Sequence, residues 1–202
     1  MQQHTDDGDA CVIHASQNVK KMLDDRKIAG VDTPVDEVHK CPGFLWGMKR
    51  GSDWAVLFMR DASKATVMAV MNFCHPPEDE DDHPHAGNNI THCIVAYQNK
   101  CTTTASKEMS KCKETHLEWF KMDELARIPL LFGMCDDYTL LCGEEADRVR
   151  REVSDDKRAK IWTTDPVQRY FNAPLGSIFK TVERFGSLQP EIKYRVVTNP
   201  TS

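Results

Sequence analysis

Apolar positions along this chain fall into short runs whose period changes from segment to segment. Residues 1–15 are polar and read as a frayed, disordered arm. From Ser16, taken as a helix cap, Val19, Met22 and Leu23 share one face, which predicts a helix to about Ile28. Trp54 to Met59 and Thr66 to Phe73 are dense apolar runs that read as two strands, joined by the turn-like tetrad Asp61-Ala62-Ser63-Lys64. Asn88-Asn89 turns into a further strand, Ile90 to Tyr97. Thr102-Thr103-Thr104 leads into a charged amphipathic helix from Ala105 to about His116, and Leu117 to Phe120 reads as a short strand. Strand and helix alternate, so residues 1–127 are expected to form an α/β layer around a buried sheet.

The texture changes after Leu125. Ile128 to Met134 is apolar but contains Pro129 and Gly133. Residues 144–160 mix both charges, with Val149 and Val153 as an i, i+4 pair, and predict a mostly exposed helix starting near Gly143. Asp165-Pro166 then opens a short helix. Asp165 can cap the free amides, and Pro166 fits the first helical position, where no amide donor is needed. Val167, Tyr170 and Phe171 share one face of that turn, with Gln168 and Arg169 off it. Most of so short a helix is anchor residue, which suits a docking element. Its alternative is to fill a small core. Ser177 to Val182 and Ile192 to Val197, with Phe185-Gly186-Ser187 between them, predict a closing antiparallel pair. Residues 128–202 are therefore expected to form a small α+β domain.

Charge sharpens this division. The 202 residues are 40% apolar and 28% charged, an ordinary soluble composition, with net charge −5. Residues 157–202 carry 8 basic and 3 acidic side chains, a net of +5, which leaves −10 for the first 156. A free-standing DNA binder usually has a strong basic excess overall, because phosphate contacts supply most of the affinity. The basic tail suits either nucleic acid or an acidic protein surface. Pro76-Pro77 and the acidic run Glu78 to Asp82 predict an exposed loop. No apolar run is long enough to span a bilayer, and the first residues carry no signal-peptide pattern. The eight cysteines are accordingly expected to be reduced thiols inside the cell.

Two groups of residues have zinc-ligand chemistry. One is Cys11 and His14 with His39 and Cys41; the other is Cys74, His75, His83, His85, His92 and Cys93 around the acidic loop. The first has no familiar metal spacing, and the second is split by a floppy acidic loop where metal ligands need tight local geometry, so no metal is predicted. No nucleophile elbow, S-x-x-K pair or phosphate-cradling glycine loop occurs, so no catalytic residue and no cofactor are predicted either. The aromatic pair Trp119-Phe120 reads as core.

The run Asp165-Pro166-Val167-Gln168-Arg169-Tyr170-Phe171 resembles the Asp-Pro-Val-x-Arg-Tyr-Phe turn of the fifth subunit shared by eukaryotic nuclear RNA polymerases. The archaeal member of that family consists of the C-terminal domain alone. The Gly176-Ser177-Ile178-Phe179-Lys180 strand, Arg184 and the closing Tyr194-Arg195-Val196-Val197 strand resemble the family as well. So do Met22-Leu23-Asp24-Asp25-Arg26, Asn89 to Ala96 and Glu124-Leu125 upstream. The family's Thr-Pro-Ser-Ala loop becomes Thr102-Thr103-Thr104-Ala105, its Val-Pro-x-His motif becomes Cys135-Asp136-Asp137-Tyr138, the Leu-Pro ahead of the turn is Arg158-Ala159, and the Gly after it is Asn172.

The resemblance implies an N-terminal jaw domain, like a truncated nuclease without its active site, followed by a C-terminal assembly domain. It implies a non-catalytic nuclear subunit, nucleolar if dedicated to the ribosomal-RNA polymerase, docked on the largest subunit beside downstream duplex DNA. On that basis Asp165, Pro166, Arg169, Tyr170, Phe171, Arg184 and Arg195 form or order the subunit interface. Thr102, Thr103, Thr104, Ser106 and Lys107 lie nearest the DNA. The altered flanks imply a divergent paralogue or a virus-encoded copy. The rival reading is a stand-alone DNA-binding regulator that uses its basic C-terminal quarter.

Overall fold

The computed structural model describes residues 7–28, 32–34, 44–50, 53–76, 89–126, 137–153, 158–183 and 189–200. The chain divides into two compact units, Met1–Ala126 and Arg127–Ser202.

The first unit begins with helix α1 (Asp7–Asp25). Its start lies nine residues before the expected cap. Val12 and Ala15 are buried, so 7–15 belong to the folded unit and not to a frayed arm. They join Val19, Met22 and Leu23 in one helical stripe whose burial stabilises the extension. Ser16 lies inside the helix, and its hydroxyl donates back to the Ile13 carbonyl at 2.7 Å.

A five-stranded sheet follows, in the order β1-β2-β3-β4-β5. Its strands are β1 (Asp32–Pro34), β2 (Phe44–Arg50), β3 (Trp54–Met59), β4 (His92–Tyr97) and β5 (His116–Lys121). β1, β2 and β3 are antiparallel neighbours, whereas β3, β4 and β5 run parallel. Parallel neighbours need crossovers, and helices α2 (Lys64–Cys74) and α3 (Thr103–Met109) supply them.

Thr66 to Phe73, expected as a strand, is thus the body of α2. Ser63 and Thr66 close a capping box: the Ser63 hydroxyl accepts from the Thr66 amide at 3.2 Å, and the Thr66 hydroxyl accepts from the Ser63 amide at 2.7 Å. Val67, Val70, Phe73 and Cys74 turn inward at helical spacing. The run is apolar almost throughout, so its periodicity alone does not separate strand from buried helix. Val70, Phe73 and Cys74 pack on Ala55, Leu57, Met59, Cys93 and Val95, with Trp119 partly buried beside them. α3 is also shorter than expected. It ends at Met109, and Thr115, in the loop back to the sheet, ties its hydroxyl to the Ile90 carbonyl at 3.0 Å.

α4 (Met122–Ala126) follows β5 directly. The Asn18 side-chain amide donates to the Leu125 carbonyl at 2.8 Å and so links α1 to α4. Arg26, just past α1, grips Glu118 of β5 through two bonds of 2.8 and 2.9 Å.

The second unit is a four-stranded sheet in the order β6-β8-β9-β7. Its strands are β6 (Asp137–Leu140), β7 (Ala159–Trp162), β8 (Ile178–Glu183) and β9 (Glu191–Thr198). β8 and β9 form the antiparallel pair predicted for the end of the chain. Helix α5 (Gly143–Glu152) is shorter than the expected 144–160, because residues 159–162 form edge strand β7, parallel to β9. Arg158 marks the changeover. It is buried, and its guanidinium donates to the Val153 carbonyl at 2.9 Å and the Arg150 carbonyl at 3.5 Å, capping the C-terminal end of α5 with a cation.

Helix α6 (Pro166–Phe171) completes the unit. Val167 packs with Ile161, Phe179 and Val197 on one face of the sheet, while Ala146 and Val149 of α5 pack with Ile178 on the other. Residues 128–134, Arg184, the 185–187 turn and the acidic run 78–82 lie outside the described residues.

Candidate docking surface

α6 is built as its sequence dictates. The Asp165 carboxylate accepts from the Val167 amide at 2.8 Å, and Pro166 occupies the first turn. Asn172 ends the helix in the left-handed region at φ 48°, a conformation that asparagine tolerates better than most residues with a side chain. The Ala173 amide then returns to the Gln168 carbonyl at 3.2 Å.

The side chains divide inward and outward. Val167 and Tyr170 are buried, while half-buried Phe171 rests on Phe179 with ring centroids 5.4 Å apart. Gln168, expected off the buried face, is buried as well: its amide donates to the Ala173 carbonyl at 2.6 Å, which satisfies both groups away from water. Tyr170 therefore supports the surface from beneath. Pro166 is exposed, and Asp165 and Arg169 are half-buried.

Asp165 and Arg195 meet at one feature. A cavity of about 140 Å³ is lined by both, together with Tyr138, Lys160, Ile161, Trp162 and Thr164. Arg195 lies on β9 and reaches Glu183 of β8 at 3.4 Å; Lys193 pairs with the same carboxylate. The Lys193 hydrogen bond, reinforced by the Lys193 and Arg195 charges, holds the Glu183 carboxyl below its usual range. The Glu183 and Glu191 hydrogen bonds raise Lys193 in turn. Arg195 Nε is buried and has no hydrogen-bond partner among the described residues.

Trp162 is 53% exposed beside this cavity. Sequence reasoning passes over Trp162, Lys160, Thr164 and Tyr138. A signal exists for the first two. Once 159–162 is known to be a strand, alternation sends Ile161 inward and Lys160 and Trp162 to the opposite face. Arg184 lies outside the described residues.

The second candidate segment is α3. Thr102 caps it, accepting from the Ala105 amide at 3.1 Å. Ala105 is buried, and Thr103, Thr104, Ser106 and Lys107 are exposed around it. Glu108 pairs with Lys111 at 2.9 Å, and that bond lowers the Glu108 carboxyl.

The zinc-type groups do not assemble where they are described. Cys74 and Cys93 are core thiols in contact, and that contact together with burial pushes Cys93 up. His92 stacks on Trp54 at 4.5 Å, while His39, Cys41, His83 and His85 lie outside the described residues. Among the described residues no three His, Cys, Asp or Glu side chains gather as a metal site. No described helix is long and apolar enough to cross a membrane.

Comparison with known proteins gives no matching family model and no matching curated protein.

Proposed function

We propose that this chain is a non-catalytic subunit of a multisubunit DNA-directed RNA polymerase in the nucleus. In this reading the first unit is a jaw beside the downstream duplex, and the second docks on the largest subunit. The observation that carries it is the helix Pro166–Phe171, capped by Asp165, which resembles the motif of the polymerase fifth subunit and starts beside a cavity that Asp165, Arg195 of β9 and exposed Trp162 line. An exposed aromatic residue flanked by cations is a frequent anchor in protein interfaces. On the first unit, Thr102, Thr103, Thr104, Ser106 and Lys107 offer hydroxyls and one cation, which suits contact with a DNA backbone without base reading.

Affinity purification of the tagged full chain from its own cells, followed by mass spectrometry, tests this reading. Large polymerase subunits are expected in stoichiometric amounts, and Arg169→Glu should deplete them. Recovery without them overturns the proposal. Salt-sensitive duplex binding by the isolated chain, with a steep slope against salt concentration, would replace it with a stand-alone DNA-binding regulator.

A further inference from the structure

The parallel strands of the first sheet start level with one another. Trp54, His92 and His116 open β3, β4 and β5 and stand in one row of the register. The next row, Ala55, Cys93 and Leu117, belongs to the core cluster under α2. Alternation therefore turns the three rings to the opposite face, where Arg26 meets Glu118. Backbone bonds lock the row in place. The Asp53 carbonyl accepts from the Thr91 and His92 amides, both at 3.0 Å, and the Thr91 carbonyl accepts from the His116 amide at 2.7 Å.

His92 lies flat on Trp54, with ring centroids 4.5 Å apart and planes inclined by 10°, which holds its orientation. Its tautomer is held too. The Thr91 hydroxyl donates to the Asp53 carbonyl at 3.4 Å and lies 3.0 Å from His92 Nδ1. A hydroxyl has a single proton to give, so Nδ1 carries the hydrogen of that second bond and Nε2 keeps its lone pair. Such a bond at the far nitrogen is how proteins commonly orient a metal-binding histidine. His116 stands beside this ring, centroids 5.7 Å apart and planes inclined by 58°. Two imidazoles that share one tetrahedral ion have centroids roughly 5 Å apart, given a metal–nitrogen bond of about 2.1 Å. His116 is exposed, so its ring has room to close that small difference.

We propose that His92 and His116 form a two-histidine clip for a divalent transition ion such as zinc or nickel. Imidazole nitrogen suits these ions, whereas magnesium and calcium take oxygen ligands. Among the described residues no third His, Cys, Asp or Glu joins the pair. Glu118, on the same face of β5, is held by Arg26 through bonds of 2.8 and 2.9 Å. Water fills the remaining coordination positions. The clip is thus an exchangeable site and not a structural one, since structural zinc takes four protein ligands. It is independent of the polymerase-subunit reading.

Long-range proton–nitrogen NMR of the imidazole rings tests it in the full, reduced chain. Before metal is added, His92 is expected in its Nδ1–H form. Zinc chloride should then shift His92 Nε2 and a His116 nitrogen together, and magnesium chloride should shift neither. Reading the rings themselves separates this site from zinc taken up by cysteines. His116→Gln, at an exposed position, should weaken the zinc affinity read at His92 by roughly tenfold or more. Thr91→Val should weaken it by about tenfold and release the tautomer, and Thr91→Ser, which keeps the hydroxyl, should restore both. Rings that zinc leaves unmoved, an unchanged affinity in His116→Gln, or an Nε2–H form of His92 overturns the proposal. Those results leave the polymerase-subunit reading standing, and a purification without polymerase subunits leaves this one standing.

Discussion

In the first unit Arg26 and Glu118 meet in a two-point ion pair with side chains 4% and 10% exposed. In the second unit Glu183 holds Lys193 and Arg195, which are 39% and 27% exposed. The first pair is shut away from water, and breaking it leaves a charge in a buried place. The second network is open to solvent on its cationic side. The Arg26–Glu118 charges are shut away from water, whereas the Lys193 and Arg195 charges reach it. The apolar residues divide the same way. Ala55 to Met59 of β3 are buried at every position, while the second sheet leaves Trp162 and Ile192 exposed.

The largest test of this contrast is Glu118→Ala. It leaves the Arg26 guanidinium without that carboxylate and is expected to cost about 3–5 kcal/mol, read as lost hydrogen-exchange protection in β3, β4 and β5. The double variant Arg26→Met with Glu118→Leu should recover most of that loss, because a buried pair replaced by apolar groups is often neutral. A single-variant loss below about 1 kcal/mol would show that the pair is as weak as a surface one.

The next test compares the two capped helices. Ser63→Ala at α2 and Asp165→Ala at α6 should each cost about 1 kcal/mol, each confined to its own unit. Urea unfolding with probes in each unit checks this, and a loss that spreads to the other unit contradicts it. Asp165→Asn, which keeps the capping oxygen, should restore most of the stability of α6.

The smallest effect is a pH dependence. Folding depresses the Glu183 carboxyl, so its contribution is present above the ordinary glutamate pKa of about 4.3 and is lost as pH falls through the folded value. Glu183→Gln should be less stable than the parent at pH 7, and the two should converge as the pH is taken below about 4. Lys193 has the opposite sign: its contribution persists below the ordinary lysine value of about 10.4 and fades as pH rises beyond it. A gap that stays constant across this range would mean that the network is not ionised as described.

How far each part is legible in the chain itself follows from how local its cause is. α6 is legible because Asp165 and Pro166 act on amides within one turn. β3, β4 and β5 are legible because short apolar runs between turns have few other uses. Residues 66–73 mislead because the capping box at Ser63 looks like an ordinary turn and an all-apolar helix has no alternation to betray it. Residues 7–15 mislead because Val12 and Ala15 are buried there among polar neighbours that hide the helical stripe in the sequence. β7 is not legible at all, since four residues form a strand only by pairing with β9, more than thirty positions further on.

By itself the sequence determined the capped helix at 165–171, the paired strands that close the chain, the basic C-terminal quarter and the motif on which the functional proposal rests. These depend on neighbours in the chain or on composition. Tertiary structure alone decided that Arg158 caps α5, that Gln168 is buried, and that Lys160, Trp162, Asp165 and Arg195 border one cavity at a sheet edge. The cavity requires strands more than thirty positions apart to arrive at the same place, and local propensity carries no information about where a distant strand will lie; the Arg158 and Gln168 contacts span only a few positions but depend on where the chain turns after each helix.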